Sequence, residues 1–240
     1  MRFMIMHKTN AHWESGASPT PDLIARVGTL LGELQSTGTL LAGEGLRASS
    51  EGVRLRFSNG QRTVAPGPFE RGTELPAGFS IVRGRSIDDA IDWASAQAAA
   101  WGDCELDIRP VTEPWDIGLA DKPRGVTERR YMILRKATAS SEAGRSLSSD
   151  QQTKLSRLVN DTTRPAVHLV TETLLPSARG RRYTNSHEGV RFVDGPFSES
   201  KELIGGYVVV SATSLDDAGR WAELYIRAVE TNEVDLRELE

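Results

Sequence analysis

The stretch SIDDAIDWA, residues 86–94, recurs 128 positions later as SLDDAGRWA, residues 214–222. The same offset relates residues from one end of the chain to the other, without a gap. Further identities at this offset are Met4 with Met132, Glu44 with Glu172, Gly67-Pro68-Phe69 with Gly195-Pro196-Phe197, Asp107 with Asp235, and Arg109 with Arg237. Because chance matches do not keep one offset over a whole unit, we interpret the chain as two copies of one unit.

The two copies predict the same order of secondary structure. Apolar residues at helical spacing from Leu23 to Leu34 predict a first helix, and the second copy has a matching face. A second helix is predicted to begin at Ser86 and at Ser214, because an aspartate follows each serine at the spacing of a capping box. A hairpin is predicted in the middle of each copy. Other strands are expected at 2–7, 40–46, 78–84 and 105–111, and again at 130–135, 167–174, 206–212 and 234–239.

The resulting order, βαββαβ, is that of a ferredoxin-like fold, in which an antiparallel sheet carries two helices on one face. We therefore predict an α+β protein with a first unit at 1–112, a linker at 113–129 and a second unit at 130–240. Proline and glycine in the linker favour neither helix nor strand. Because a sheet that is apolar on both faces needs cover on both, the two units are expected to pack sheet to sheet as an internal pseudo-dimer.

Composition limits the location and the partners of the protein. A net charge of −4 argues against binding to nucleic acid or to an anionic membrane surface. The arginine-rich stretch 179–182 is interpreted as a solvated turn, with an anion site as the alternative. Cys104 is the only cysteine, which excludes an intrachain disulfide and favours the cytoplasm. No apolar run approaches the roughly 20 residues that a membrane-spanning helix needs.

One stretch of the second copy resembles a family signature. It reads VDGPFSESKE at residues 193–202, followed by LIGGY at 203–207, and is similar to the signature of the YCII-related proteins, specifically the DGPF subgroup. Supporting matches lie at 43–46, at 86–93 and at 105–113. The resemblance implies a dimeric α+β barrel, which a tandem chain would form by itself as an intrachain dimer, with further oligomerisation still open.

The resemblance also implies two classes of function. In the YCII branch a His/Asp pair has been suggested as an acid–base dyad, one relative removes chloride from a chlorinated hydroxyquinol, and DGPF proteins are often linked with extracytoplasmic-function sigma factors. Neither first helix of this chain contains a histidine, so the dyad pattern is not met. We therefore expect a barrel that binds a small molecule, with general acid–base chemistry on a small carbonyl or phenolic compound. The alternative is a non-catalytic accessory protein in a sigma-factor pathway.

The motif in the second copy supplies the first candidate site residues. Asp194 is a candidate catalytic carboxylate, and the alternative is a turn residue, because Asp-Gly-Pro is also a good turn sequence. The first copy has Pro66 at the matching position and Thr73 where Lys201 stands, so only the second copy carries both charged groups. Ligand-binding candidates in the motif are Lys201, Glu202 and Phe197. The expected working site is therefore single.

The second strands supply the remaining candidates. Glu44 and Glu172 lie among apolar neighbours, where an ionised carboxylate needs a partner or a cavity. His168 precedes Glu172 by four residues, so both are expected on one face of a strand as an acid–base pair. The alternatives are an ion pair for each glutamate and a hydrogen-bonded core position for His168. The histidines have no metal-binding spacing, and no phosphate loop follows a strand, so neither a metal nor a cofactor is expected.

Overall fold

The structure is a computed structural model, and it describes residues 1–69, 75–197, 200 and 202–240. Thr73 and the ligand-binding candidate Lys201 lie outside the described residues.

The order of elements along the chain is the predicted one, and it occurs twice. The strands of the described residues are β1 (Arg2–Lys8), β2 (Leu40–Gly45), β3 (Val53–Ser58), β4 (Gln61–Pro66), β5 (Pro76–Gly84), β6 (Cys104–Pro110), β7 (Arg129–Lys136), β8 (Val167–Thr173), β9 (Arg181–Ser186), β10 (Gly189–Asp194), β11 (Ile204–Ser211) and β12 (Glu233–Glu238). The helices are α1 (Ala11–Glu14), α2 (Pro21–Ser36), α3 (Ile87–Trp101), α4 (Ala139–Glu142), α5 (Ser149–Val159) and α6 (Leu215–Ala228). Short 3-10 turns lie at Ser49–Glu51, Pro114–Ile117 and Ser177–Arg179. The one-turn helices α1 and α4 had not been predicted.

The predicted helix starts are confirmed. The Ser86 hydroxyl accepts a hydrogen bond from the Asp89 amide at 3.4 Å, and the Asp89 carboxylate accepts one from the Ser86 amide at 3.3 Å. At α6 the Ser214 hydroxyl caps the Asp217 amide at 3.1 Å. There the Asp217 carboxylate bonds to Thr213 instead. Both helices therefore begin where a serine replaces the missing turn of backbone acceptors.

The strands of the two halves are exchanged, where the first half is residues 1–112 and the second half is 130–240. One antiparallel sheet has the strand order β10-β9-β12-β1-β11-β2, and the other has the order β4-β3-β6-β7-β5-β8. In the first sheet Ile5 of β1 pairs with Val208 on one side and Leu236 on the other. The βαβ segment of each half thus lies in a sheet whose remaining strands come from the other half.

Two compact units follow from this exchange. Unit 1 combines residues 1–45 with 174–240, and unit 2 combines 46–69 with 75–173, among the described residues. In each sheet a hairpin, β9–β10 or β3–β4, lies at one edge. The other four strands have the order of a ferredoxin-like fold. The protein is thus α+β, with two antiparallel six-stranded sheets in two ferredoxin-like units. The boundaries 1–112, 113–129 and 130–240 therefore describe the sequence repeat rather than the compact units. The packing of the two sheets against each other as a barrel stays a prediction.

In the central strands of each sheet, residues of both faces are buried, as the apolar pattern predicted. In unit 1, Phe3 and Ile5 of β1 belong to the core that includes residues of α2 and α6. Met4 and Met6 alternate with them and are also buried, on the opposite face. This second face carries the charged side chains of the candidate site. Across the described residues, no helix is long and apolar enough to cross a membrane.

Candidate functional site

The Gly-Pro-Phe motif is built in the same way in both halves. A Cβ atom on Gly195 would lie 1.8 Å from the Ser177 carbonyl oxygen, and one on Gly67 would lie 1.8 Å from the corresponding oxygen of Ser49. The Phe197 amide donates a hydrogen bond to the Ser177 hydroxyl at 3.0 Å. Glycine is therefore required because the motif loop passes directly against the backbone of a 3-10 turn.

This loop places a phenylalanine ring on an arginine. The Arg182 guanidinium lies 4.6 Å from the centre of the Phe197 ring, and Arg54 lies 4.7 Å from the centre of the Phe69 ring. Such cation–π contacts attract a guanidinium to the ring face and shield it from water. The predicted ligand-binding candidate Phe197 is thus buried beside a strand arginine.

Arg182 belongs to a largely buried group of charged side chains and their neighbours that we call the unit 1 cluster: Lys8, Arg182, Phe197, Ser200, Glu233 and Asp235. Its centre is Asp235, whose carboxylate accepts hydrogen bonds from Lys8 at 2.6 Å and from Arg182 at 2.6 Å. Lys8 also donates to the Ser200 hydroxyl at 2.8 Å, which connects the cluster to the motif loop. The side chains of Lys8 and Asp235 are 3% and 0% exposed.

Strand alternation explains why these charges meet. Val234 and Leu236 point into the core of unit 1, so Asp235 between them points to the opposite face. Asp235 is directly across from Arg182 on β9 and from Met6 on β1. Burial by itself raises the pKa of the Asp235 carboxyl, but Lys8 and Arg182 hold that pKa below its ordinary value. Asp235 is therefore ionised at neutral pH.

Unit 2 contains the same arrangement at the matching positions, which we call the unit 2 cluster: Arg54, Phe69, Glu105, Asp107 and Lys136. Asp107 accepts hydrogen bonds from Arg54 at 2.7 and 2.9 Å and forms an ion pair with Lys136 at 2.7 Å. In each cluster the lysine comes from one half of the chain, and the aspartate and the arginine come from the other. Strand exchange therefore assembles both clusters.

The two clusters differ in the pKa of the central aspartate, which burial raises at Asp107 and the two cations lower at Asp235, and in the surroundings of one glutamate. In unit 2, Glu105 forms ion pairs with Arg56 at 2.7 Å and with Arg54 at 3.4 Å. In unit 1, Thr184 stands at the position of Arg56. Among the described residues, Glu233 has a single ion-pair partner, Arg182, at 3.3 Å. Burial raises the pKa of Glu233, and Arg182 and Lys8 only partly offset this effect.

Asp194, the predicted catalytic carboxylate, lies away from the unit 1 cluster. Arg181 donates to it at 2.8 Å and also binds Asp216, in the first turn of α6, at 2.6 Å. The Asp194 side chain is 67% exposed and lies on the helix face of the sheet. The first half has neither partner, because Val53 and Pro66 stand at the positions of Arg181 and Asp194. This geometry favours the structural interpretation of Asp194.

His168 and Glu172 lie on opposite faces of β8. The pairing of β8 with β5 shifts register next to His168, so the expected same-face spacing does not hold. The His168 ring stacks on Trp93 of α3, with 5.6 Å between ring centres, and shares a hydrogen bond of 2.9 Å with Thr171. Burial lowers the pKa of His168. Glu172 follows Thr171, so its side chain points away from this helix face.

The remaining candidates divide between the two units. Glu44 on β2 lies opposite Tyr207 of β11 in unit 1. Glu202 follows the motif loop of unit 1, where its charge contributes to raising the pKa of Glu233. His168 and Glu172 belong to unit 2, whereas Asp194 and Phe197 belong to unit 1. Phe197 and Glu202 are thus the predicted residues that the structure brings to the unit 1 cluster.

The cluster residues Lys8, Arg182 and Asp235 were missed as site residues, although the sequence contains a signal for them. Each has an identical partner 128 positions away, at Lys136, Arg54 and Asp107. Charged residues that recur between apolar strand residues indicate a buried, paired charge. The contacts among these residues could not be predicted from the sequence, because the exchange of strands was not predicted. Within the described residues, no group of three or more His, Cys, Asp and Glu side chains could hold a metal ion.

The family assignment rests on the first half of the chain. Residues 1–113 match the model of the YCII-related domain. Residues 1–113 belong to the YCII-related family. This YCII-related domain contributes β1, α2 and β2 to unit 1 and the strands β3 to β6 to unit 2. Searches of curated proteins and of solved structures found no match.

Proposed function

We propose that the chain is a tandem pair of YCII-related domains of the DGPF subgroup. In this proposal the protein binds a small molecule at the unit 1 cluster and performs general acid–base chemistry on a small carbonyl or phenolic compound. The supporting observation is the attachment of the motif loop to buried charges, with Phe197 on Arg182 and Ser200 bonded to Lys8. The buried Cys104 is consistent with a cytoplasmic protein, which is part of the same proposal.

Buried charges support a functional role because they are a costly way to stabilise a fold. Replacing a buried ion pair by apolar residues of similar volume is often neutral or stabilising. Groups with shifted pKa values also occur preferentially at functional sites. In the unit 1 cluster, the pKa of Asp235 is lowered and that of Glu233 is raised, although both carboxyls lie next to Arg182. A carboxyl with a lowered pKa, such as Asp235, holds a negative charge at neutral pH, whereas one with a raised pKa, such as Glu233, is better suited to exchange protons.

Arg182 is the group that would bind the small molecule. Its side chain is 16% exposed, whereas Lys8 is almost completely buried. A guanidinium offers several donors in one plane, which suits a carboxylate, phenolate or enolate oxygen. In this proposal Asp235, which is itself bonded to Lys8, holds Arg182 in place, and Phe197 covers the face of the guanidinium.

A thermal-shift screen with small phenols, quinones and 2-oxo acids tests this proposal. A compound that binds the unit 1 cluster stabilises the wild type by about 2.7 kcal/mol at 100 times its dissociation constant. We expect Arg182→Met to abolish this stabilisation and the matched variant Arg54→Met, in the unit 2 cluster, to retain it. Each variant is compared with its own ligand-free melting temperature. Equal stabilisation of both variants would contradict the assignment of the site.

The alternative function, a non-catalytic accessory protein in a sigma-factor pathway, is favoured by a different observation. Phe192 and Val193 of β10 are 47% and 60% exposed, next to the motif and on the edge strand of the sheet. Exposed apolar residues on an edge strand can pair with another protein. Pull-down with a sigma factor that is lost in Val193→Lys, together with a negative compound screen, would favour this alternative.

A further inference from the structure

We infer that Glu233 is the general base of the unit 1 cluster, which takes a proton from the carbon next to the carbonyl group of a small 2-oxo acid or related compound. This inference rests on the function proposed above and names a residue and a substrate class for it.

Position distinguishes Glu233 from the other carboxylate of the cluster. Glu233 and Asp235 are two residues apart on β12, so they lie on the same face of the sheet. Asp235 is completely buried and bonded to both cations, whereas the Glu233 side chain is 28% exposed. A substrate can therefore reach the Glu233 carboxylate but not that of Asp235. Arg182 lies between them, 3.3 Å from Glu233.

The charges around Glu233 favour proton uptake more than those around its counterpart do. Within the described part of the chain, the charged groups that face it are Arg182 and Lys8, which lower its pKa, and Asp235 and Glu202, which raise its pKa in addition to burial. In unit 2, Arg56 contacts Glu105 at 2.7 Å, and Thr184 replaces this arginine in unit 1. Arg191 lies across from Thr184 on β10, but its guanidinium pairs with Glu188. Among the described residues, unit 1 therefore has no counterpart of this second arginine contact on its glutamate.

The pairing of this base with Arg182 fits enolisation. The C–H bond next to the carbonyl breaks, its proton moves to the Glu233 carboxylate, and the electron pair forms an enolate. The negative charge develops on the carbonyl oxygen, which Arg182 stabilises by hydrogen bonding. Return of a proton from Glu233 regenerates the carbonyl compound or its isomer. Carbon acids require such a positioned base and acid, since their protons exchange slowly in water.

Two matched substitutions test the electrostatic part of the inference. Thr184→Arg introduces into unit 1 an arginine at the position of Arg56, and Arg56→Thr removes that arginine from unit 2. Carboxyl NMR titration, with Glu233→Gln to assign the signal, should give a Glu233 midpoint above the ordinary glutamate pKa of about 4.3. Thr184→Arg should lower this midpoint, and Arg56→Thr should leave it unchanged. A wild-type midpoint at or below the ordinary value overturns the inference.

Exchange of the methyl protons of pyruvate for deuterium in D2O tests the chemical part. We expect the wild type and Arg56→Thr to exchange them faster than buffer, and Glu233→Gln and Thr184→Arg to lose roughly 10²-fold or more of this rate. No exchange above buffer in the wild type, or equal exchange by Glu233→Gln, overturns the inference. The thermal-shift screen judges the proposed function separately, because Glu233→Gln should still bind the 2-oxo acids through Arg182.

Discussion

The ammonium group of Lys8 lies 2.6 Å from the carboxylate of Asp235, although 227 residues separate them in the chain. Lys8 ends the first strand of the chain, and Asp235 lies in the last. This ion pair joins the two halves of the sequence inside one compact unit and beside the motif loop.

Removing the lysine should therefore be costly. Lys8→Met leaves Asp235 buried with Arg182 as its remaining cation in the cluster, and breaking a buried pair in this way costs about 3–5 kcal/mol. Urea unfolding measures this loss, and Lys136→Met in the unit 2 cluster should behave alike. The control is Lys154→Met, which breaks an exposed pair with Asp150 in α5 and should cost less than about 1 kcal/mol. Similar losses for Lys8→Met and the control would contradict the cluster.

The same ion pair predicts a dependence of stability on pH. The pKa of Asp235 is lowered in the folded protein, so its contribution to the free energy of unfolding is complete above the unfolded-state value of about 3.9. That contribution is lost as the pH falls through the folded-state pKa. Urea midpoints of wild type and Asp235→Asn should therefore differ at pH 7 and converge in acid below about pH 3.9. A constant difference across this range would show that the pKa of Asp235 is not lowered on folding.

The close approach of the motif loop predicts a steric effect. Gly195→Ala places a methyl group 1.8 Å from the Ser177 carbonyl oxygen, so the loop must move and the protein should lose about 1–3 kcal/mol or more. The control is Gly32→Ala in α2, where no atom lies within 4 Å of the added Cβ. Alanine should stabilise this helix by up to about 1 kcal/mol. Thermal unfolding that ranks the two variants in the opposite order would contradict the described loop.

Asp194 should behave as a structural residue. Asp194→Asn weakens an exposed ion pair with Arg181, which contributes about 1 kcal/mol or less to stability. Because Asp194 lies on the helix face of the sheet, the stabilisation by a 2-oxo acid should be unchanged. Loss of this stabilisation in Asp194→Asn, with a normal melting temperature, would show that Asp194 contributes to binding and would exclude the binding site proposed here.

Cleavage of the linker tests the strand exchange. Arg124 is exposed between β6 and β7 and is followed by Gly125, so limited trypsin digestion should cut after Arg124. Because β1 pairs with β11 and β12, the two fragments should elute together from a sizing column and separate only in denaturant. Fragments that separate in native buffer would rule out exchanged strands.

The order of strands and helices was predictable because it depends on local patterns that the chain shows twice. Ser86 and Ser214 begin helices in both the prediction and the structure, since a helix start depends on neighbours within one turn. Strand partners depend on residues far apart in the chain, and either copy of β1 could satisfy the same apolar pattern. The position of His168 was not predictable for a related reason, because one register shift in the pairing of β8 with β5 places its side chain on the other face of the strand.

The exchange of strands also has a consequence for synthesis on the ribosome. Unit 2 is nearly continuous in sequence, so its residues are all available once Thr173 has been made, before the last 67 residues of the chain. Unit 1 cannot form until β12 emerges, because β1 has its partners at the very end of the chain. The N-terminal 45 residues must therefore wait as an unpaired apolar segment while unit 2 folds. We therefore expect the incompletely folded unit 1 to need protection by chaperones during synthesis.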